Sequence, residues 1–129
     1  MKKKILLAEE DRKALIFFKE LFDRYQDLYI IVEAIPGEEV MEKYIECSPD
    51  LVLMDIMMQR TSGLLAAKSI LEYDENAKII MLTSIGLQKI VQEALKIGVK
   101  GYLLKPLEEQ KVLKVLEIYL SEMVETDLA

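Results

Sequence analysis

The chain contains no histidine. That absence removes Ser-His-Asp and Cys-His catalysis, histidine-ligated zinc and phosphohistidine chemistry on the chain itself. Carboxylates, hydroxyls and lysine must carry any chemistry. Cysteine is nearly as scarce: Cys47 stands alone and cannot form an internal disulfide. Long hydrophobic runs are missing too, and no window approaches the length of a membrane span. Behind Met1-Lys2-Lys3-Lys4 the apolar run Ile5–Ala8 is too short for an export signal before acids intervene. A cytoplasmic protein without a membrane anchor is the expectation. Positive charge is also in deficit, with 17 Lys and Arg against 23 Asp and Glu and a formal charge of −6. With no basic stripe to neutralise phosphates, direct binding to nucleic acid is not expected.

What is present is an alternation of short apolar runs with amphipathic stretches. The 129 residues, 52% of them hydrophobic, suffice for one domain with a real core. Strands are expected near Ile5–Ala8, Tyr29–Ala34, Leu51–Met54, Lys78–Leu82 and Gly101–Leu104. Between the first two, Ala14, Phe17, Phe18, Leu21, Phe22 and Tyr25 recur at helical spacing, marking a helix from about Arg12 to Tyr25. Further helices are expected from about Glu38 to Glu46 after the Pro36-Gly37 break, from Gly63 to about Tyr73, and from about Leu87 to Ile97 with Gly98 as its cap. The last runs from about Glu108 to Val124. This alternation predicts an α/β fold: a flavodoxin-like, doubly wound sheet of five parallel strands in the order 2-1-3-4-5 with five helices, one domain over residues 1–129.

The strands end in chemistry. Glu9-Glu10-Asp11 follows the first, Asp55 the third, Thr83-Ser84 the fourth and Lys105-Pro106 the fifth. Open parallel sheets bind ligands at the carboxyl ends of their strands, so these residues read as one site. The expected strand order brings Glu9 and Glu10 beside Asp55, where the carboxylates repel each other unless a cation neutralises them. Oxygen ligands of this kind suit Mg²⁺, with Mn²⁺ as a substitute. Thr83 and Lys105 add a hydroxyl donor and a cation for phosphoryl oxygens. Asp55 is then the nucleophile that forms an acyl phosphate.

Over nearly its whole length the chain resembles a response-regulator receiver domain, and Asp55-Ile56-Met57-Met58 with Gly63, and Ala77 to Thr83, are similar to stand-alone chemotaxis regulators. The resemblance implies Glu9-Glu10 as the acidic pair, Asp55 as phosphoacceptor, Thr83 as switch hydroxyl, Tyr102 as switch aromatic, and Lys105 followed by a typically cis Pro106. It also implies the Met57 carbonyl as a metal ligand, with the Met57 and Ile85 side chains flanking the approach to the phosphoryl group. It implies a sensor histidine kinase or phosphotransfer protein as donor and a downstream protein as target. The face of the fourth helix, fifth strand and fifth helix is where receivers dock partners or form homodimers. Lys89, Val115 and Ile118 are the candidates there, with Val112, Leu113, Leu116, Tyr119 and Leu120 on the core side of the last helix. Tyr102 reads equally as plain packing.

Three positions depart from the family pattern: Glu10 where an Asp is usual, Gln59 where a proline is usual, and Leu107 where an aromatic often follows the Lys-Pro pair. Asp11 reads as a helix cap. A haloacid-dehalogenase-type phosphatase would need a second Asp at Met57, and a flavodoxin-like carrier would need a phosphate loop where Glu9-Glu10-Asp11 stands. A pseudo-receiver that binds a partner without phosphorylation, and the N-terminal receiver of a longer DNA-binding regulator, remain alternatives.

Overall fold

The computed structural model describes residues 1–35, 39–58 and 62–120. The Pro36-Gly37 break, Gln59 and the stretch of the last helix beyond Leu120 lie outside the described residues. Five strands and five helices alternate: β1 (Lys3–Ala8), α1 (Arg12–Arg24), β2 (Tyr29–Glu33), α2 (Val40–Cys47), β3 (Leu51–Asp55), α3 (Gly63–Tyr73), β4 (Ile79–Thr83), α4 (Gln88–Ile97), β5 (Gly101–Leu104) and α5 (Glu109–Leu120). The sheet is parallel throughout, in the expected order β2-β1-β3-β4-β5.

The burial of each strand follows its place in the sheet. β3 and β4, central and covered on both faces, are buried at every residue, which is why both read as unbroken apolar runs. The outer strands β2 and β5 are only partly covered. Successive side chains point to opposite faces, so the inner strands β1, β3 and β4 each feed two separate cores. Ile5, Leu7, Leu51, Leu53, Ile80 and Leu82 meet α1 and α5, while Leu6, Ala8, Val52, Met54, Ile79 and Met81 meet α2, α3 and α4. α1 contributes Phe18, which is fully buried and stacks on Phe22 with ring centroids 5.9 Å apart.

Helix ends explain themselves locally. Gly98 closes α4 at φ 119°, the left-handed conformation that glycine adopts without steric penalty. Ser62 caps α3, its hydroxyl accepting from the Leu64 and Leu65 N–H groups at 3.0 and 3.3 Å. Ser48 closes α2, and the Asp50 carboxylate then accepts the Lys4 N–H at 2.7 Å, tying the start of β3 to β1. On α5, Val112, Leu116 and Leu120 are buried, and Leu113, Val115 and Tyr119 pack partly against the same core. Val115 is therefore more a core-edge residue than a surface one, whereas Ile118 is exposed as expected. No helix among the described residues is long and apolar enough to cross a membrane.

Leu53 has no exposed surface and touches the α1 and α5 layer from the middle of the sheet. Leu53→Ala is expected to lower unfolding free energy by about 2–5 kcal/mol, and Ile118→Ala by less than about 0.5 kcal/mol. Urea denaturation followed by circular dichroism measures both.

Candidate functional site

The strand register assembles the site. Ala8 pairs with Met54, so Glu9 and Asp55 emerge side by side from β1 and β3. Asp55 pairs with Leu82 and Thr83 with Leu104, which brings Thr83 and Lys105 to the same end of the sheet. The Lys105 N–H donates to the Thr83 carbonyl at 2.6 Å, extending the ladder just past β5. The peptide bond between Lys105 and Pro106 is cis, as the sequence resemblance implied.

Glu9 and Asp55 are buried, 4% and 8% exposed, and the ammonium of Lys105 lies between them. Its Nζ is 2.7 Å from Glu9 Oε2 and donates to Asp55 Oδ2 at 3.0 Å. The other carboxylate oxygens are held by the main chain: Glu9 Oε1 accepts the Glu10 and Asp11 N–H groups at 3.0 and 2.8 Å, and Asp55 Oδ1 accepts the Met57 N–H at 3.0 Å. The Lys105 contact to Glu9 Oε2 is an ion pair by distance, with no donor aligned on that oxygen as a hydrogen bond. Burial raises the Glu9 carboxyl to about pKa 7, against the lowering pull of Lys105 and the Asp11 N–H, with Asp55 adding to the rise. Burial alone would lower the Lys105 ammonium, but its two carboxylate partners outweigh that and leave its pKa raised.

The sequence casts Lys105 as a cation for phosphoryl oxygens; in the structure it first neutralises the two buried acids. Asp11 differs from expectation as well. It stands at the N-cap position of α1, but its side chain makes no capping hydrogen bond, and its Oδ2 lies 3.9 Å from Lys105 Nζ. The nearby ammonium competes with the helix N–H groups for that carboxylate. Gly63, read from the sequence as a helix start and as part of the family resemblance, also has a packing role. A Cβ there would lie 2.2 Å from the Asp55 carbonyl oxygen, so only glycine lets α3 abut the turn after β3, where the Gly63 N–H donates to the Ile56 carbonyl at 2.9 Å.

A model of the response regulator receiver domain matches residues 5–117. The chain belongs to that family. Among relatives of this receiver, Protein CcdB of Bacillus subtilis is 38% identical over 112 residues, covering 86% of this chain and 92% of that one. Chemotaxis protein CheY of Thermotoga maritima is 35% identical over 116 residues, covering 90% and 96%. The receiver domain of sensor histidine kinase PA1611 from Pseudomonas aeruginosa, solved with a magnesium ion coordinated in its active-site cleft, superposes with a TM-score of 0.81 at 21% identity over 92% of this chain and 98% of that one. The family is a two-component signalling module, not a conventional enzyme.

Within this receiver the remaining candidates separate into buried and exposed groups. Thr83 is buried, and its hydroxyl donates to the Ser84 carbonyl at 3.4 Å. Tyr102 is 52% exposed and lines a cavity of about 340 Å³ together with Thr83, Ile85, Leu87, Val91 and Leu104. Met57 and Ile85 are exposed at the ends of β3 and β4, and Leu107 is half-buried. Glu10 is exposed, with its N–H directed at Glu9. Among the described residues no three acidic side chains converge to hold a metal ion. The donor set still fits a hard divalent cation that keeps most of its waters and needs only one or two carboxylates, which Glu9 and Asp55 present together, Glu9 with an oxygen that no hydrogen bond satisfies.

Because the folded state raises the Glu9 pKa from 4.5 to about 7, the unfolded chain loses this proton first as pH rises. The associated stability is present below about pH 4.5 and is lost as pH rises through about 7. Urea unfolding in EDTA is expected to show the wild type losing stability across this window relative to Glu9→Gln, which cannot titrate there. A pH-independent difference between the two would show that Glu9 stays ionised throughout.

Proposed function

We propose that this receiver accepts a phosphoryl group on Asp55 from the phosphohistidine of a sensor histidine kinase or phosphotransfer protein. The observation that carries this reading is a buried aspartate at the carboxyl end of β3 with a lysine ammonium 3.0 Å from its Oδ2. In the transfer, the donor's N–P bond breaks as an Asp55 oxygen bonds to phosphorus, and the departing imidazole nitrogen takes up a proton from solvent. Lys105 can pass from Asp55 to the new phosphoryl oxygens, and Thr83 can exchange its long bond to Ser84 for a charge-assisted one. Glu9, Glu10, Asp55 and the Met57 carbonyl are the oxygens offered to Mg²⁺, or to Mn²⁺ in its place. When bound, the ion supplies charge neutralisation for the acids and the incoming phosphate.

Movement of Thr83 toward the phosphoryl oxygens releases space in the cavity beside Tyr102, and rotation of that ring into it alters the face formed by α4, β5 and α5. That face carries the exposed Lys89 and Ile118, with Val115 at its buried margin, and suits a downstream protein target or a homodimer partner. The unit that does this is one receiver domain spanning residues 1–129, acting in the cytoplasm. A second reading has its own support: Lys105 already balances both buried acids, as a pseudo-receiver working without phosphorylation would allow.

Intact mass after treatment with acetyl phosphate and Mg²⁺ separates the two. One added phosphoryl group is expected on the wild type and none on Asp55→Asn or in EDTA; a folded wild type without adduct supports the pseudo-receiver. The exposed apolar side chains of Met57 and Ile85 should hinder an attacking water, so the adduct is expected to be long-lived. Replacing Met57 by Asn and Ile85 by Glu is expected to speed its hydrolysis several-fold, followed by loss of the mass adduct with time. An unchanged rate would remove these side chains from control of the signal's lifetime.

A further inference from the structure

β2 lies at the edge of the sheet and is hydrogen-bonded to β1 alone. Its even-numbered residues serve that ladder: the Leu28 carbonyl accepts the Lys3 N–H at 2.9 Å, and the Ala34 N–H donates to the Leu7 carbonyl at 3.0 Å. The main-chain groups of Ile31 and Glu33 therefore point out of the sheet. Natural edge strands are commonly blunted by lysine, proline or a bulge, since an open edge pairs readily with another strand. β2 reads Tyr-Ile-Ile-Val-Glu, with neither lysine nor proline, and Ile30 is exposed beside Leu28. Between this edge and α1 runs a groove of about 430 Å³, floored by Phe18, Phe22, Tyr29 and Ile31 and rimmed by Lys19 and Asp23.

We propose that a second copy of this chain occupies this edge, β2 pairing antiparallel with β2 about a two-fold axis through Ile31. The strand is complementary to its own reverse. In that register Ile31 faces Ile31, Ile30 faces Val32, and the Tyr29 hydroxyl faces the Glu33 carboxylate of the other copy, so no like charges meet. The Ile31 N–H and carbonyl exchange bonds with their counterparts, and the Glu33 N–H donates to the opposite Tyr29 carbonyl.

α1 is complementary to its reverse in the same way. Phe22 packs on Tyr29 with ring centroids 5.8 Å apart, which sets the middle of α1 along the groove above Ile31. Lys19 and Asp23 stand one helical turn apart on the groove rim, exposed and outside any ion pair among the described residues. The axis that reverses the helix sets Lys19 of each copy against Asp23 of the other. A foreign strand would gain the main-chain bonds but not this double reciprocity. The dimer lies at the opposite edge of the sheet from β5, so it presents two output faces and needs no phosphorylation.

Sedimentation equilibrium of the full unphosphorylated chain tests this. A concentration-dependent dimer is expected, weakened roughly tenfold or more by Lys19→Asp or by Asp23→Lys, since each turns two attractive contacts into repulsive ones. The double swap Lys19→Asp with Asp23→Lys, and an equimolar mixture of the two single variants, are expected to restore it. Hydrogen exchange at the Ile31 and Glu33 amides should slow as dimer forms. A chain that remains monomeric up to about 1 mM overturns the proposal. So does a dimer that is indifferent to both single charge reversals, or one that leaves these amides unprotected.

Discussion

The Lys105 ammonium held between the buried carboxylates of Glu9 and Asp55 is the contact on which the rest of this structure depends. Two carboxylates that are mostly out of water and side by side are tolerable only with a cation between them. That cation arrives from β5, two strands away from β3, so the triad forms only when β1, β3, β4 and β5 are in register. The same requirement explains the tight support around it: main-chain N–H groups from Glu10, Asp11 and Met57 take the oxygens that Lys105 does not reach.

A metastable site of this kind is also a sensitive one. Breaking a buried ion pair leaves an uncompensated charge, so any event that draws Lys105 off Asp55 must supply a replacement. On the proposed function, a phosphoryl group and a divalent cation together would do so, adding negative oxygens for the lysine and positive charge for the acids. On that reading Thr83 would link the exchange to the surface, because its partner across the ladder is Leu104, which directly precedes Lys105 and follows Tyr102 by two residues. The cavity beside Tyr102 would give the rearrangement somewhere to go.

The sheet's two edges are built for different work. β5 leads directly into the site lysine, and its exposed side chains, Tyr102 and Leu104, border the cavity that Thr83 also lines. β2 has no residue in the site, and its register is set by β1 alone. The association proposed for its open main-chain groups would therefore leave the strand-end site undisturbed.

Much of this was legible in the chain before folding. Short apolar runs and helical spacing located every element, and β5 and α3 have the bounds that the sequence predicts, because Gly101 and Lys105-Pro106 bracket the one and Gly63 opens the other. β1 instead begins at Lys3, since Lys3 and Lys4 pair with Tyr29 and Ile30, and β4 extends to Thr83, since Thr83 pairs with Leu104. Such ends are set by partners distant in the chain. The sequence by itself determined the strand-end chemistry and the order of its residues, because alternation and local breakers are properties of neighbouring residues. Only the tertiary structure decided that Lys105 sits on Glu9 as well as Asp55, that Asp11 lies toward that lysine instead of capping its helix, and that Tyr102 shares a cavity with Thr83. Those choices follow from charge balance and packing between segments up to about a hundred residues apart, which no local pattern encodes.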